Sequence, residues 1–215
     1  MSRPVVINEI FTSIQGESTR AGLPCTFVRL TGCRLRCSYC DTAYAFHEGH
    51  PRSVEEVAEE VESRGVRFVT VTGGEPLIQD GAHDLIRSLL DRGFDVQVET
   101  SGAVDTAGVD PRARIILDVK TPGSGEEGRM VWSTLSRLRS TDEVKFVVVD
   151  RADYEFALRL ISAGRVPAGV PILISPAHGT ITPSELAGWM LQDKVPARLH
   201  LQIHKYIWGE HARGV

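Results

Sequence analysis

Seven short runs of β-branched and aliphatic residues recur along the chain, at residues 26–30, 67–71, 95–98, 115–117, 144–149, 171–174 and 199–203, with helix-patterned segments between most of them. Their near-continuous apolar character suits buried strands of a parallel sheet covered by helices. Strand followed by helix, repeated, restricts the chain to the α/β class. The helices fall at 53–64, where Ser53 and Glu56 have capping-box spacing, at 82–92 and at 152–162, while Thr182-Pro183-Ser184-Glu185 opens another. Residues 101–112 carry Gly102, Gly108 and Pro111 and show no apolar stripe, so a loop is expected there. At 215 residues the chain is shorter than the roughly 250 usual for a closed eightfold barrel. The expected architecture is an incomplete, open, TIM-like βα barrel with about six parallel strands and one or more crossover helices lost. No linker divides it, so a single domain over residues 1–215 is expected, with 1–24 an N-terminal substrate-binding extension and 209–215 a polar tail.

Lys and Arg number 24 against 28 Asp and Glu, a formal charge of -4, which supplies no global attraction to nucleic acid or an anionic membrane. No apolar run approaches the length of a membrane span, and the first residues lack a signal-peptide core and cleavage site. A cytoplasmic protein is expected, with neither nucleic acid nor membrane as partner. Of four cysteines, three crowd together at Cys33, Cys37 and Cys40, which fits metal or cluster ligation better than a disulfide framework.

Those three stand in the pattern C-x3-C-x2-C directly after the first expected barrel strand. Soft thiolates select zinc or iron–sulfur; structural zinc takes four protein ligands, whereas a cubane held by three leaves one iron open. Two readings follow from the residues: a cluster with an open iron, or a zinc knuckle completed by Cys25 or His47.

The triplet after a first strand, with aromatic Tyr39 before its last cysteine, resembles the radical S-adenosylmethionine superfamily. Thr72-Gly73-Gly74-Glu75-Pro76 after the second strand resembles a second hallmark of that superfamily, in which glycines let backbone approach a ligand and Glu75 can accept from an ammonium. The resemblance implies a [4Fe–4S] cluster whose open iron is chelated by S-adenosylmethionine, and electron transfer into the sulfonium to yield a 5′-deoxyadenosyl radical.

A narrower resemblance rests on Gln15-Gly16-Glu17, on the run from Gly22 to Cys33, on Asp41-Thr42 and on Gln202-Ile203-His204-Lys205. Together these are similar to the 7-carboxy-7-deazaguanine synthases, ring-contracting enzymes of the deazapurine (queuosine) pathway. The resemblance implies conversion of 6-carboxy-5,6,7,8-tetrahydropterin to 7-carboxy-7-deazaguanine with loss of ammonia, S-adenosylmethionine being regenerated and Mg²⁺ assisting. It places Cys33, Cys37 and Cys40 on the cluster, and Tyr39, Gly74, Glu75, Ser101 and Lys120 around the cofactor. Gln15, Gly16, Glu17, Arg29, Thr72 and His204 would contact the pterin, and Thr42 would meet Mg²⁺. Residues 209–215 extend beyond the usual family pattern.

Other readings of the same residues are a glycyl-radical-enzyme activase, against which Gln15-Gly16-Glu17 and Asp41-Thr42 argue, and a zinc-stabilised binding module. The family resemblance also implies a homodimer and a flavodoxin or ferredoxin electron donor. Arg34 and Arg36, flanking the cysteines, could offer a donor a local positive patch.

Overall fold

The computed structural model describes residues 3–215; residues 1 and 2, the start of the expected extension, lie outside the described residues. One nine-stranded sheet runs through the molecule. β1 (Val5–Ile14) and β2 (Pro24–Leu30) form an antiparallel hairpin, and β3 (His50–Arg52) pairs with the free side of β1. From β2 onward every neighbour is parallel: β4 (Phe68–Gly73), β5 (Asp95–Thr100), β6 (Arg114–Val119), β7 (Glu143–Val148), β8 (Ile172–Pro176) and β9 (Arg198–Leu199) follow in chain order. The end strands β3 and β9 are not paired with each other, so the sheet is open.

Helices connect the parallel strands. α1 (Val54–Ser63) lies between β3 and β4, α2 (Gly81–Asp91) between β4 and β5, α3 (Trp132–Ser136) between β6 and β7, α4 (Arg151–Ser162) between β7 and β8, and α5 (Pro183–Asp193) between β8 and β9. α1 and α5 begin with complete capping boxes, Ser53 with Glu56 and Thr182 with Glu185, which satisfy N-terminal N–H groups on both sides of the cap. The segment 101–112 forms no helix, as its glycines and proline predict.

The strand runs proved less uniform than their apolar appearance suggests. Val28, Leu30, Val69, Val71, Val96, Val98, Leu117, Val144, Phe146 and Ile174 project to the helix side, where they join one continuous core with Val57, Leu85, Ile86, Leu89, Tyr154 and Leu186. Their alternates, Arg29, Thr72, Glu99, Asp118 and Lys145, line a cavity on the other face. Period-two alternation therefore separates a packed face from a chemically active one. At the N-terminal end of the parallel strands, Phe11, Cys25, Phe27 and Phe68 make a second apolar cluster, with Phe11 and Phe27 stacked at 4.9 Å.

Three expectations are corrected. Seven strands, not about six, belong to the parallel set. Residues 5–14 are not an appendage before the sheet, because β1 is hydrogen-bonded within it between β2 and β3. The run 199–203 is strand only to Leu199: His200 N still donates to the Ile174 carbonyl, but Ile203 N donates instead to the Gly16 carbonyl at 3.0 Å, and the chain turns into α6 (Ile203–Trp208). His204 consequently sits on a short helix rather than at a strand end.

Candidate active site

The C-terminal ends of the parallel strands, the cysteine loop, the 15–17 turn and α6 enclose a cavity of about 240 Å³. Cys33, Cys37 and Cys40 line its wall; the first two are partly buried and the third is exposed. Their loop is held from outside, since Ser38 N donates to the Ser124 carbonyl, Ser38 Oγ to the Gly123 carbonyl at 2.7 Å, and Arg36 N to Glu126 Oε1. The Arg36 guanidinium folds back onto the Cys33 and Leu35 carbonyls and stacks on Phe46. Burial raises the Cys37 thiol to about 11 against the pull of Lys120, so ligation there must displace a proton. Cys25, at the opposite end of β2, is fully buried with its sulfur 3.1 Å from Thr70 Oγ1. Five residues of strand, about 17 Å, separate it from the end that leads into the loop.

Gly74 packs against the base of the cysteine loop: a Cβ there would lie 2.5 Å from the Gly32 carbonyl oxygen and 2.7 Å from Cys33 Cβ. Ser101, Lys120 and Tyr39 also reach the cavity. Lys120 pairs with Asp118 at 3.0 Å and lies 5.7 Å from the centre of the Tyr39 ring. Glu75 does not come to the cavity wall. Its buried carboxylate accepts from Leu77 N, Thr100 Oγ1, Ser101 N and Ser101 Oγ, which ties the end of β4 to the end of β5. Through these bonds it holds Ser101 against the end of β4.

On the opposite side Gln15 donates to Thr70 Oγ1 and Glu99 and accepts from Glu17 N. A Cβ at Gly16 would collide with the His204 ring, so glycine there is a condition of close approach. Glu17 pairs with Lys145 Nζ at 2.5 Å and accepts from Gln202 Nε2 at 2.7 Å. Burial alone would raise its carboxyl, but Lys145 and His200 outweigh that and hold it well below the usual carboxylate range. Glu99 is shifted the other way, raised by burial and by the Glu17 charge. Thr72 donates to Glu99 at 3.2 Å, and Arg29 donates through Nε to Glu9, leaving the rest of its fork near the cavity. Thr42 donates to Asp41, whose other oxygen pairs with Lys205. The tail returns over the site: Glu210 meets His178 at 3.0 Å, Arg213 covers the Tyr44 ring and Val215 touches the cavity.

Sequence reasoning missed Glu99, Asp118 and Lys145, and gave Lys205 no role of its own. For the first three a signal existed: charged residues occupy alternate positions in strands whose other alternates are Val, Ile, Leu or Phe. Lys205 lies on α6, two residues beyond the run 199–203 that was read as strand.

Two residues of the cavity wall, Tyr39 and Asp118, each carry a buried oxygen, the hydroxyl and Oδ1, without a hydrogen-bond partner among the described residues. Such orphaned groups together with three thiols and a backbone cradle at Gly74 fit a polar cofactor seated beside a cluster. Among the described residues no three His, Cys, Asp or Glu are gathered as a ready single-ion site.

The profile of the Radical SAM superfamily matches residues 27–122, which span both the cysteine loop and the Gly73-Gly74 turn, and the fold and site together define a radical S-adenosylmethionine enzyme. Over 99% of the chain the sequence is 44% identical to the 7-carboxy-7-deazaguanine synthase of Chlorobaculum tepidum, covering 98% of that protein, and over 97% it is 41% identical to the one of Koribacter versatilis, covering 99%. The crystal structure of QueE from Escherichia coli superposes with a TM-score of 0.75 at 25% identity, covering 92% of each chain. The chain belongs to the 7-carboxy-7-deazaguanine synthase family. A [4Fe–4S] cluster and S-adenosylmethionine are the cofactors that membership of the superfamily implies. No helix among the described residues is long and apolar enough to cross a membrane.

Proposed function

We propose that the protein converts 6-carboxy-5,6,7,8-tetrahydropterin to 7-carboxy-7-deazaguanine and ammonia in a single domain, residues 1–215, with the sheet curled as a partial barrel around the site. The observation that carries this reading is the meeting, in one cavity, of the three-cysteine loop with the Gln15-Gly16-Glu17 turn and His204. Cys33, Cys37 and Cys40 would hold the cluster, and Tyr39, Gly74, Ser101 and Lys120 would hold S-adenosylmethionine, with Glu75 acting through Ser101. When bound, these groups supply a reducing electron and, from the sulfonium, a carbon radical able to take hydrogen from the substrate.

The chain's own residues bind and orient. Glu17, kept ionised by Lys145, accepts from N–H groups of the pterin; Gln15 and Thr72 fix the same edge through Glu99. Arg29 meets the substrate carboxylate with the guanidinium donors that Glu9 leaves free. His204, lowered by burial despite Glu17 and Asp41, is neutral at pH 7 and offers one donor and one acceptor. Thr42 supplies an oxygen to Mg²⁺, which takes few protein ligands and fills its shell from substrate and water. α6 and the tail border the cavity through His204, Lys205 and Val215.

A flavodoxin or ferredoxin is the electron donor in this reading, docking near exposed Arg34 and Arg36, and the protein is cytoplasmic and homodimeric. Binding to the reconstituted protein tests the substrate assignment. The carboxytetrahydropterin should bind at least about tenfold more tightly than the same tetrahydropterin without its carboxylate, a difference of about 1.4 kcal/mol. Arg29→Gln should erase that preference; equal affinities for the two ligands in the parent protein would refute the assignment.

A further inference from the structure

The turn that carries Glu17 is gripped at two points by a strand remote from it in sequence. Glu143 and Lys145 stand two residues apart on one face of β7, the spacing that brings side chains to the same side of a strand. Glu17 and Thr19 stand two apart on the 15–23 segment that joins β1 to β2. Lys145 Nζ reaches Glu17 Oε2 at 2.5 Å, and the two oxygens of Glu143 take Thr19 N at 2.9 Å and Thr19 Oγ1 at 2.5 Å. Between the gripped residues lies Ser18, buried, with φ of 69°. A non-glycine residue in that region is strained and persists only where its surroundings over-determine it. The segment is also closed on itself, Gln15 N to the Leu23 carbonyl and Gly22 N to the Gln15 carbonyl.

We propose that Glu143 and Lys145 are positioning residues that clasp the 15–23 segment onto β7 and thereby set the direction in which Glu17 presents its carboxylate to the pterin. Lys145 and Gln202 together occupy only part of that carboxylate, which can accept about four hydrogen bonds, so it keeps acceptor capacity for a ligand. Lys145 also lies 3.5 Å from Asp118, the partner of Lys120, so the same ammonium joins the substrate side of the cavity to its cofactor side. The clasp rests on the reading of Glu17 as a pterin ligand.

The test is calorimetric titration of the anaerobically reconstituted holoenzyme, first with S-adenosylmethionine and then with carboxytetrahydropterin. Lys145→Met should weaken pterin binding at least about tenfold and by clearly more than it weakens S-adenosylmethionine binding, and Lys145→Arg, which restores the cation, should recover most of the loss. Thr19→Val, which keeps the backbone bond to Glu143 and removes the hydroxyl one, should weaken pterin binding by about threefold and serves if Lys145→Met does not fold. Glu17→Gln and the Glu17→Gln/Lys145→Met pair should bind the pterin alike within about threefold, because both remove one device. Parent-like pterin affinity in Lys145→Met, or in Thr19→Val when Lys145→Met is unfolded, overturns the clasp if Glu17→Gln itself binds poorly. Parent-like affinity in Glu17→Gln overturns the reading of Glu17 and the clasp with it.

Discussion

Cys25 begins β2 with its thiol against Thr70, whereas Cys33, Cys37 and Cys40 follow the strand's other end and face the cavity. Cys25→Ala should therefore retain a full iron load in reconstituted protein, and Cys37→Ala should lose the cluster absorption and most of its iron while remaining folded; iron and sulfide analysis with visible spectroscopy checks both. Thr42 offers a sharper test because its hydroxyl is engaged only by Asp41 among the described residues. Thr42→Val should lose Mg²⁺ stimulation of turnover, seen in a magnesium titration of the initial rate, while Thr42→Ser should keep most of it because it retains the oxygen. The hallmark residues were legible from their order along the chain. The hydrogen bonds that Glu75 makes were not, since the donors of Thr100 and Ser101 arrive from the next strand.

At the scale of elements, the cysteine loop is held through a residue of α4. Asp153, buried in the first turn of α4, accepts from Thr121 Oγ1, Gly123 N and Val149 N, and so holds the 3₁₀ turn Pro122–Ser124 whose carbonyls take Ser38. Asp153→Ala strands several buried donors and should destabilise the protein by roughly 3 kcal/mol. Denaturant unfolding measures that cost, and slower cluster assembly with all three cysteines intact would show the loosened loop. α1, α2, α4 and α5 were legible because their sequence signals are local, the apolar stripes of α1, α2 and α4 and the capping boxes that open α1 and α5. α6 was not: Leu199, Leu201 and Ile203 alternate with His200 and Gln202 in the pattern of a strand, and only the Gly16 carbonyl, remote in sequence, turns the chain. The polar inner face was hidden for a related reason, since single charges such as Asp118 and Lys145 look like interruptions until the strands are laid side by side.

For the whole molecule, the cavity concentrates charges whose pairing sets the acid limit of stability. His200 and His204 are lowered from the ordinary imidazole value of 6.5, first by burial, and Glu17 is held below the ordinary carboxylate range. Both kinds of group have depressed folded pKa values, so the stability they contribute is present above their unfolded values and is lost as pH falls. Unfolding free energy should thus decline from about pH 7 toward about pH 5 as the unfolded histidines take up protons, and further below about pH 4.5 as the unfolded Glu17 does. His200→Asn should flatten the first limb in a pH series of denaturant melts; an unchanged slope would assign that limb to other groups.

Product analysis after anaerobic turnover decides whether these groups act together on a carboxytetrahydropterin. The reconstituted protein, with reductant, S-adenosylmethionine and Mg²⁺, should form 7-carboxy-7-deazaguanine, identified by mass, with one ammonia released per product and S-adenosylmethionine not consumed in proportion. Cleavage of S-adenosylmethionine with the pterin recovered unchanged would contradict the account.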